Sequence, residues 1–349
     1  MSRKKTEKKP VAQITMEDVA RAAGVSRMTV SRALRSDSPV SDQTRARILK
    51  IVRKLNYVPD QSAGTLSTRR SGFAATLVPS LNNLHFAESV QALNEQLEQI
   101  GLQMVLGHTG YSAEREEALI ESMLKRRPEV IVLPFDGHTP RTIKLLKQAN
   151  VPVIEQWEVP SRPVGYTVGF SNWQAAHKMT SALIERGYKN IAFVGESEDA
   201  WTRGAARRAG FEDAMQSAGL SAHRMVRYGK PPISIEDGFH IGSGFSQHFA
   251  DTDCIFCVSD APAFGVLSAL KSQQIRVPDD IAVVGFGDFE VSRFSSPTIS
   301  TVEVDPRGIG RRTGELIRRL LVDGSEPASV PRHTEIEVRL CFRESTHSK

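Results

Sequence analysis

Between residues 15 and 59, apolar residues recur at helical spacing in three short stretches. Thr15-Met16-Glu17-Asp18 reads as a capping box with Asp in place of Glu, opening a helix whose apolar face carries Val19, Ala20 and Ala23. Gly24 ends that helix. After the Gly24-Val25 turn Ser26 can cap a second one, and Val30 with Ala33 or Leu34 supplies the face that packs back on the first. A third helix, capped by Ser41, runs through Arg45 to Tyr57 with Ile48, Leu49, Val52 and Leu55 at helical spacing, and Pro59 stops it. Two short helices joined by a tight glycine-containing turn are a helix-turn-helix arrangement.

From Gly72 the pattern changes to short apolar runs alternating with amphipathic helices. Ala74 to Val78, Gln103 to Leu106, Val130 to Leu133 and Val153 to Ile154 read as strands. Helical patterns near Ala87 to Ile100, Ala113 to Lys125 and Arg141 to Gln148 separate them. A second set of strands follows at Thr167 to Phe170, Ile191 to Val194, Met225 to Tyr228, Cys254 to Val258 and Ile281 to Val284. Such repetition predicts parallel sheets covered on both faces, and two sets predict two doubly wound halves. The expected fold class is an all-α helix-turn-helix head followed by two α/β subdomains.

Charge divides the 349-residue chain at the same place. Residues 1–70 hold 16 Lys and Arg against 6 Asp and Glu, a balance of +10, and the remaining residues hold 29 against 34, a balance of −5. A basic head on a mildly acidic body is the electrostatic footprint of a nucleic-acid module, because cationic side chains on phosphates release condensed counterions. If the apolar faces of the first two helices turn inward, Arg27, Met28, Ser31 and Arg32 project from the outer side of the second helix. Arginine suits the O6/N7 edge of guanine, methionine can meet a thymine methyl, and Ser26, Thr29 and Ser31 can donate to phosphates. Thr15 and Arg35 complete this set of candidate DNA contacts.

The chain carries no run of about 18 apolar residues, and the basic start leads into polar residues instead of a signal-peptide core, which predicts a cytoplasmic protein without a membrane span. Three cysteines are too few for a disulfide framework. Cys254 and Cys257 fall beside or within an apolar run and read as thiols of a buried strand, the other reading being a metal or redox pair. No G-x-S-x-G, H-E-x-x-H, P-loop or G-x-G-x-x-G is present, so an enzyme reading lacks its constellation, and no cofactor or metal site is expected.

Ile14-Thr15-Met16-Glu17-Asp18-Val19-Ala20, Gly24-Val25-Ser26, Thr29-Val30-Ser31-Arg32, Val40-Ser41 and Leu55-Asn56-Tyr57-Val58-Pro59 together resemble the lac-repressor/galactose-repressor family of bacterial regulators, and the resemblance extends over the whole chain. It implies a basic tail at 1–13, a helix-turn-helix domain at 14–59, a hinge helix or linker at 60–71, and an effector-binding and dimerisation body at 72–349. The hinge would become helical only on operator DNA. Gly64, Ser62, Thr65 and Ser67 are poor helix formers, as that expects, and Leu66 falls where the family wedges a leucine into the minor groove. The body's halves would resemble periplasmic sugar-binding proteins, with an N-subdomain at about 72–169 and 298–326 and a C-subdomain at about 170–297 and 327–345. The three crossovers are expected near Gly169 to Asn172, Ser296 to Thr301 and Val322 to Val330.

Ligands of open α/β sheets bind outside the carboxyl ends of the strands. The polar residues expected there are Ser80, Asn82 and Asn83 after the first strand, His108 and Tyr111 after the second, Asp136 and His138 after the third and Glu155 after the fourth. In the second half they are Asn172, Glu196, Asp260 and Asp288. Phe86 joins them as an apolar candidate. Arg203 and Arg207 open the helix that continues into Gly210-Phe211, and Arg207 matches the family's effector-reading arginine. Gly287 stands where many relatives place an acid that clasps sugar hydroxyls, and Ser259 where Asn is frequent. Arginines kept while a carboxylate is lost favour an anionic effector. Val78-Pro79-Ser80-Leu81-Asn82-Asn83, His138-Thr139-Pro140-Arg141-Thr142 and Val168-Gly169-Phe170 look like the gluconate-operon repressor branch, which implies gluconate or a close hexonate as inducer of a homodimeric repressor. Other effectors of the same regulator type, 2-ketogluconate, a phosphorylated sugar acid or a neutral sugar, stand as alternatives, as do corepression and, from another class, a sugar-binding transport protein, which would need a secretion signal and no helix-turn-helix head.

Overall fold

The computed structural model describes residues 14–34, 39–59, 71–135, 137–197, 202–244, 251–324 and 326–347. The chain divides into two compact units, residues 1–71 and 72–349. Arg35, Asp136 and the hinge residues from 60 to 70, Leu66 among them, lie outside the described residues.

In the first unit, α1 (Met16–Ala23) starts from the expected capping box: the Thr15 hydroxyl accepts from the Asp18 amide while the Asp18 carboxylate accepts from Thr15. Gly24 ends the helix at φ 62°, the left-handed conformation open to a residue without Cβ. Ser26 caps α2 (Arg27–Ala33) and Ser41 caps α3 (Asp42–Leu55). That last helix stops at Leu55, before Pro59, because Asn56 takes the left-handed cap position at φ 50°. Val19, Ala20, Ala23, Val30, Ala33, Ile48 and Tyr57 form the core, and Ile51, Val52 and Leu55 pack on it. Leu49 is half-buried outside this cluster. An Arg45 guanidinium donates to the Ala33 carbonyl at 2.8 Å, tying α3 to the C-terminal end of α2.

The second unit holds two parallel sheets. The first contains β1 (Phe73–Val78), β2 (Gln103–His108), β3 (Val130–Pro134), β4 (Val153–Gln156), β5 (Tyr166–Gly169) and β11 (His333–Glu335), in the order β11-β5-β4-β3-β1-β2. The second contains β6 (Ile191–Gly195), β7 (Met225–Arg227), β8 (Cys254–Cys257) and β9 (Ala282–Val284), in the order β7-β6-β8-β9. The intervening helices are α4 (Leu84–Gln99), α5 (Ala113–Leu124), α6 (Pro140–Gln148), α7 (Asn172–Glu185), α8 (Arg203–Ser217), α9 (Ile235–Ser243), α10 (Asp260–Ser272), α11 (Glu290–Phe294) and α12 (Pro306–Leu321). Strand β8 is buried at every position, and both of its cysteines are free thiols.

Two boundaries fall elsewhere than the sequence suggests. The run at Thr167 to Phe170 belongs to β5 of the first sheet and does not open the second. The third crossover comes after β11 instead of at 322–330: His333–Glu335 still pairs in parallel with Thr167–Gly169, and only then does β12 (Arg339–Cys341) pair antiparallel with β10 (Thr301–Glu303). A three-residue edge strand carries too little apolar periodicity to be seen in the sequence.

Candidate functional site

On the first unit, α2 turns Val30 and Ala33 into the core and leaves Arg27, Met28 and Arg32 exposed, with Met28 63% accessible. An exposed methionine between two arginines, on a helix capped by its own Ser26, is a surface that stays unspent in folding. Ser26 and Thr29 are partly committed: the Thr29 amide donates to the Ser26 hydroxyl at 3.1 Å, and the two hydroxyls lie 2.9 Å apart. Thr15 serves its own helix cap, Ser31 is half-buried, and Arg27 lies 3.6 Å from the Glu17 carboxylate in an exposed pair.

In the second unit, a cavity opens where the carboxyl ends of both sheets converge. It is lined by Asn83, His85 and Phe86 from the start of α4, Tyr111 after β2, Trp157 after β4 and Phe170 after β5. From the other half come Glu196, Arg203, Arg207, Val258, Ser259, Phe286, Gly287 and Phe289. Six of the residues expected at the site line it: Asn83, Phe86, Tyr111, Glu196, Arg203 and Arg207. The unusual positions Ser259 and Gly287 are on its wall as well.

Arg207 is held by three groups. Its Nε donates to the Asn172 side-chain oxygen at 2.8 Å, one terminal nitrogen donates to the Val258 carbonyl at 2.7 Å, and its plane stacks on the Phe286 ring at 3.7 Å. Asn172, fully buried, spends its amide nitrogen on the Trp157 carbonyl and the Glu158 carboxylate, so it positions Arg207 without itself lining the cavity. Burial, followed by the like charge of Arg203, brings Arg207 down to about 10, with Glu196 and Glu158 acting in the opposite sense. Arg203 is 7% exposed and lies over the Phe86 ring at 5.2 Å. The Glu196 carboxylate packs against Gly204 in the first turn of α8, where the helix dipole favours negative charge. The result is two guanidinium groups seated on aromatic faces at the wall of one cleft, a geometry suited to a carboxylate.

Among the described residues, the remaining expected ones are not among those lining the cavity. Glu155 and His138 form a buried cluster with Glu116 of α5, the His138 Nδ1 lying 2.6 Å from Glu116 and Nε2 3.4 Å from Glu155. Burial works against charge on this imidazole, but hydrogen bonds and charges from both glutamates outweigh it and raise His138 to about 9. The second Glu155 oxygen accepts from the Val164 and Gly165 amides. Asp260 accepts from the Thr301 hydroxyl at 2.6 Å and the Phe289 amide at 2.7 Å, and burial raises its carboxyl to about 6. Asp288 is gripped by Arg293 and Arg343, both at 2.6 Å. Burial pushes its carboxyl up, yet those arginines hold it below the usual range. Ser80 accepts from the Asn82 amide, Asn82 is exposed, and His108 is half-buried at the end of β2.

Sequence reasoning missed the aromatic wall of His85, Trp157, Phe170, Phe286 and Phe289. Its only signal was large apolar residues at strand ends, where hydrophobic burial explains them equally well. Among the described residues no group of His, Cys, Asp and Glu is arranged to hold a metal ion, and no helix is long and apolar enough to cross a membrane.

A helix-turn-helix unit joined in one chain to a two-lobed α/β unit with a ligand-sized cleft defines a DNA-binding transcriptional regulator. Comparison with known proteins gives the particular kind. The model of bacterial regulatory proteins of the lacI family matches residues 15–60, and that of a periplasmic binding protein-like domain matches residues 180–346. The HTH-type transcriptional regulator GntR of Escherichia coli K12 is 34% identical over 295 residues, covering 84% of this chain and 87% of that protein. The HTH-type transcriptional regulator IdnR of the same strain is 31% identical over 306 residues, covering 87% and 91%. The crystal structure of a LacI family transcriptional regulator from Silicibacter pomeroyi, 57% identical, superposes with a TM-score of 0.75 over 78% of this chain and 98% of that one. The chain belongs to the lacI family of bacterial regulators.

Proposed function

We propose that this protein is a cytoplasmic, homodimeric repressor, with no catalytic activity, that controls genes of sugar-acid catabolism and leaves its operator when it binds gluconate or a close hexonate. The observation that carries the effector class is the pair of buried Arg203 and half-buried Arg207: an arriving carboxylate relieves the like-charge repulsion between them and finds a bidentate fork already oriented by Asn172 and Val258. The resemblance of residues 78–83, 138–142 and 168–170 to gluconate-operon repressors supports the same ligand. On DNA, two copies of α2 enter successive major grooves of a pseudo-palindromic operator, with Arg27, Met28 and Arg32 toward the bases and Leu66 wedged at the centre. An effector that favours one closure state of the body shifts the dimer away from its DNA-competent arrangement, and linkage makes DNA weaken effector binding in return.

Isothermal titration calorimetry with gluconate, 2-ketogluconate, 6-phosphogluconate, glucose and a pentose tests the effector class. Saturable binding of an aldonate, with the neutral sugars silent, is the expected result. Binding of a neutral sugar in the absence of any aldonate binding would overturn the charge argument.

A further inference from the structure

The backbone at Gly287 adopts φ +126°, and the volume a side chain would fill is already taken. A Cβ there would come within 2.7 Å of the Phe289 ring and 3.0 Å of the His85 ring. Those two rings face each other at 3.8 Å between centroids and 7° between planes, and Trp157 continues the stack beyond His85 at 6.3 Å and 9°. His85 and Trp157 belong to the first half of the body, His85 on α4 and Trp157 after β4, whereas Phe289 follows β9 of the second half. The stack therefore spans the cleft.

Each side of the stack is anchored in its own half. Asn83 caps α4 through the His85 amide at 3.0 Å, and Phe86 meets Trp157 edge-on at 5.0 Å. Across the cleft, the buried Asp260 carboxylate accepts from the Phe289 amide and, through its other oxygen, from Thr301 on β10, while Asp288 next door is fixed by Arg293 and Arg343. His85 is a neutral ring at neutral pH, since burial and the Arg207 charge bring it down to about 4, so the stack carries no charge to be solvated. Direct contact between two preset rings leaves no ligand atom between them.

We propose that His85 and Phe289 are a latch across the effector cleft, holding its halves together by ring stacking in the ligand-free protein and thereby setting how readily an effector is taken up. Gly287 is the residue that makes room for it. An aromatic pair of this kind changes the closed-to-open ratio by about two- to tenfold. The inference rests on the effector-in-cleft reading for its second readout only.

The first readout is small-angle X-ray scattering of the full-length, ligand-free protein with wild-type residues, with His85→Ala, with Phe289→Ala and with Phe289→Leu, which keeps apolar bulk. Circular dichroism confirms that each variant is folded. The latch predicts a larger radius of gyration for both alanine variants and an intermediate one for Phe289→Leu; scattering curves that superpose on wild type overturn it. The second readout is gluconate affinity of the single variants and the His85→Ala/Phe289→Ala double variant. A latch is broken once, so the double variant binds no more weakly than the weaker single one, by up to about tenfold relative to wild type. Losses that multiply would make the two rings independent ligand contacts and overturn the latch. If gluconate fails to bind the wild type, the effector reading fails and the scattering result still decides the latch.

Discussion

The two units expose and bury their functional residues in opposite ways. In the helix-turn-helix unit the candidate DNA contacts lie outside, and the bonds that shape them join residues three apart: Thr15 with Asp18, Ser26 with Thr29, Ser41 with Thr44. In the body, Arg203 is buried, half-buried Arg207 is held by Asn172 and Val258, 35 and 51 positions away, and buried Asp260 is held by Thr301, 41 positions away. A surface built on local bonds tolerates loss of one contact with a modest change. A buried charge held by remote partners does not, because removing one side strands the other in a low dielectric.

The largest effect expected from that contrast is at His138. His138→Ala leaves Glu116 and Glu155 buried against each other and should destabilise the body by about 3–5 kcal/mol in urea unfolding. The histidine's folded value is raised from 6.5 to about 9, so its contribution is fully present below pH 6.5 and is lost as pH rises toward 9. Wild-type stability should fall across that window, and the variant should lose this slope. Next comes Arg207→Ala, which leaves the Asn172 oxygen and Val258 carbonyl without their donor. It should weaken effector binding by at least about 100-fold, about 3 kcal/mol, with operator affinity unchanged. A variant that still responds to effector would remove Arg207 from the site.

On the exposed side the numbers shrink. Arg32→Ala should cost about 1–3 kcal/mol on the best operator and little on random DNA, as read by competition binding; equal losses on both would demote it to a phosphate contact. Ser26→Ala removes the cap of α2 and should lower stability of the first unit by about 1 kcal/mol, seen in its thermal transition while the body's is unmoved. An effect there as large as that at His138 would erase the contrast between the units.

The same difference explains what the sequence made legible. Caps, turn glycine and apolar spacing are local signals, so all three helices of the first unit could be read from Thr15, Gly24, Ser26 and Ser41; the last helix ends at Leu55 instead of running to Tyr57. Strands buried on both faces, such as Cys254–Cys257, were equally visible. Arg203 and Arg207 could be placed because they open a helix after a strand. The polar strand-end residues were ambiguous: His138, Glu155, Asp260 and Asp288 are bound up with partners from other segments, and a strand end alone does not reveal whether its side chain meets a ligand or a neighbour. His85, Phe289 and Trp157 meet only after the chain has folded, with 204 positions between the first two, and no local pattern announces a contact of that range.

In the proposed function a ligand in the body's cleft controls the DNA-binding unit. Fluorescence anisotropy of the full-length protein on a labelled pseudo-palindromic operator taken from DNA near its gene, with and without saturating gluconate, tests it directly. Tight binding released by gluconate, and retained by the Arg207→Ala variant under the same conditions, is the predicted result. Tight binding that gluconate leaves unaltered would contradict it.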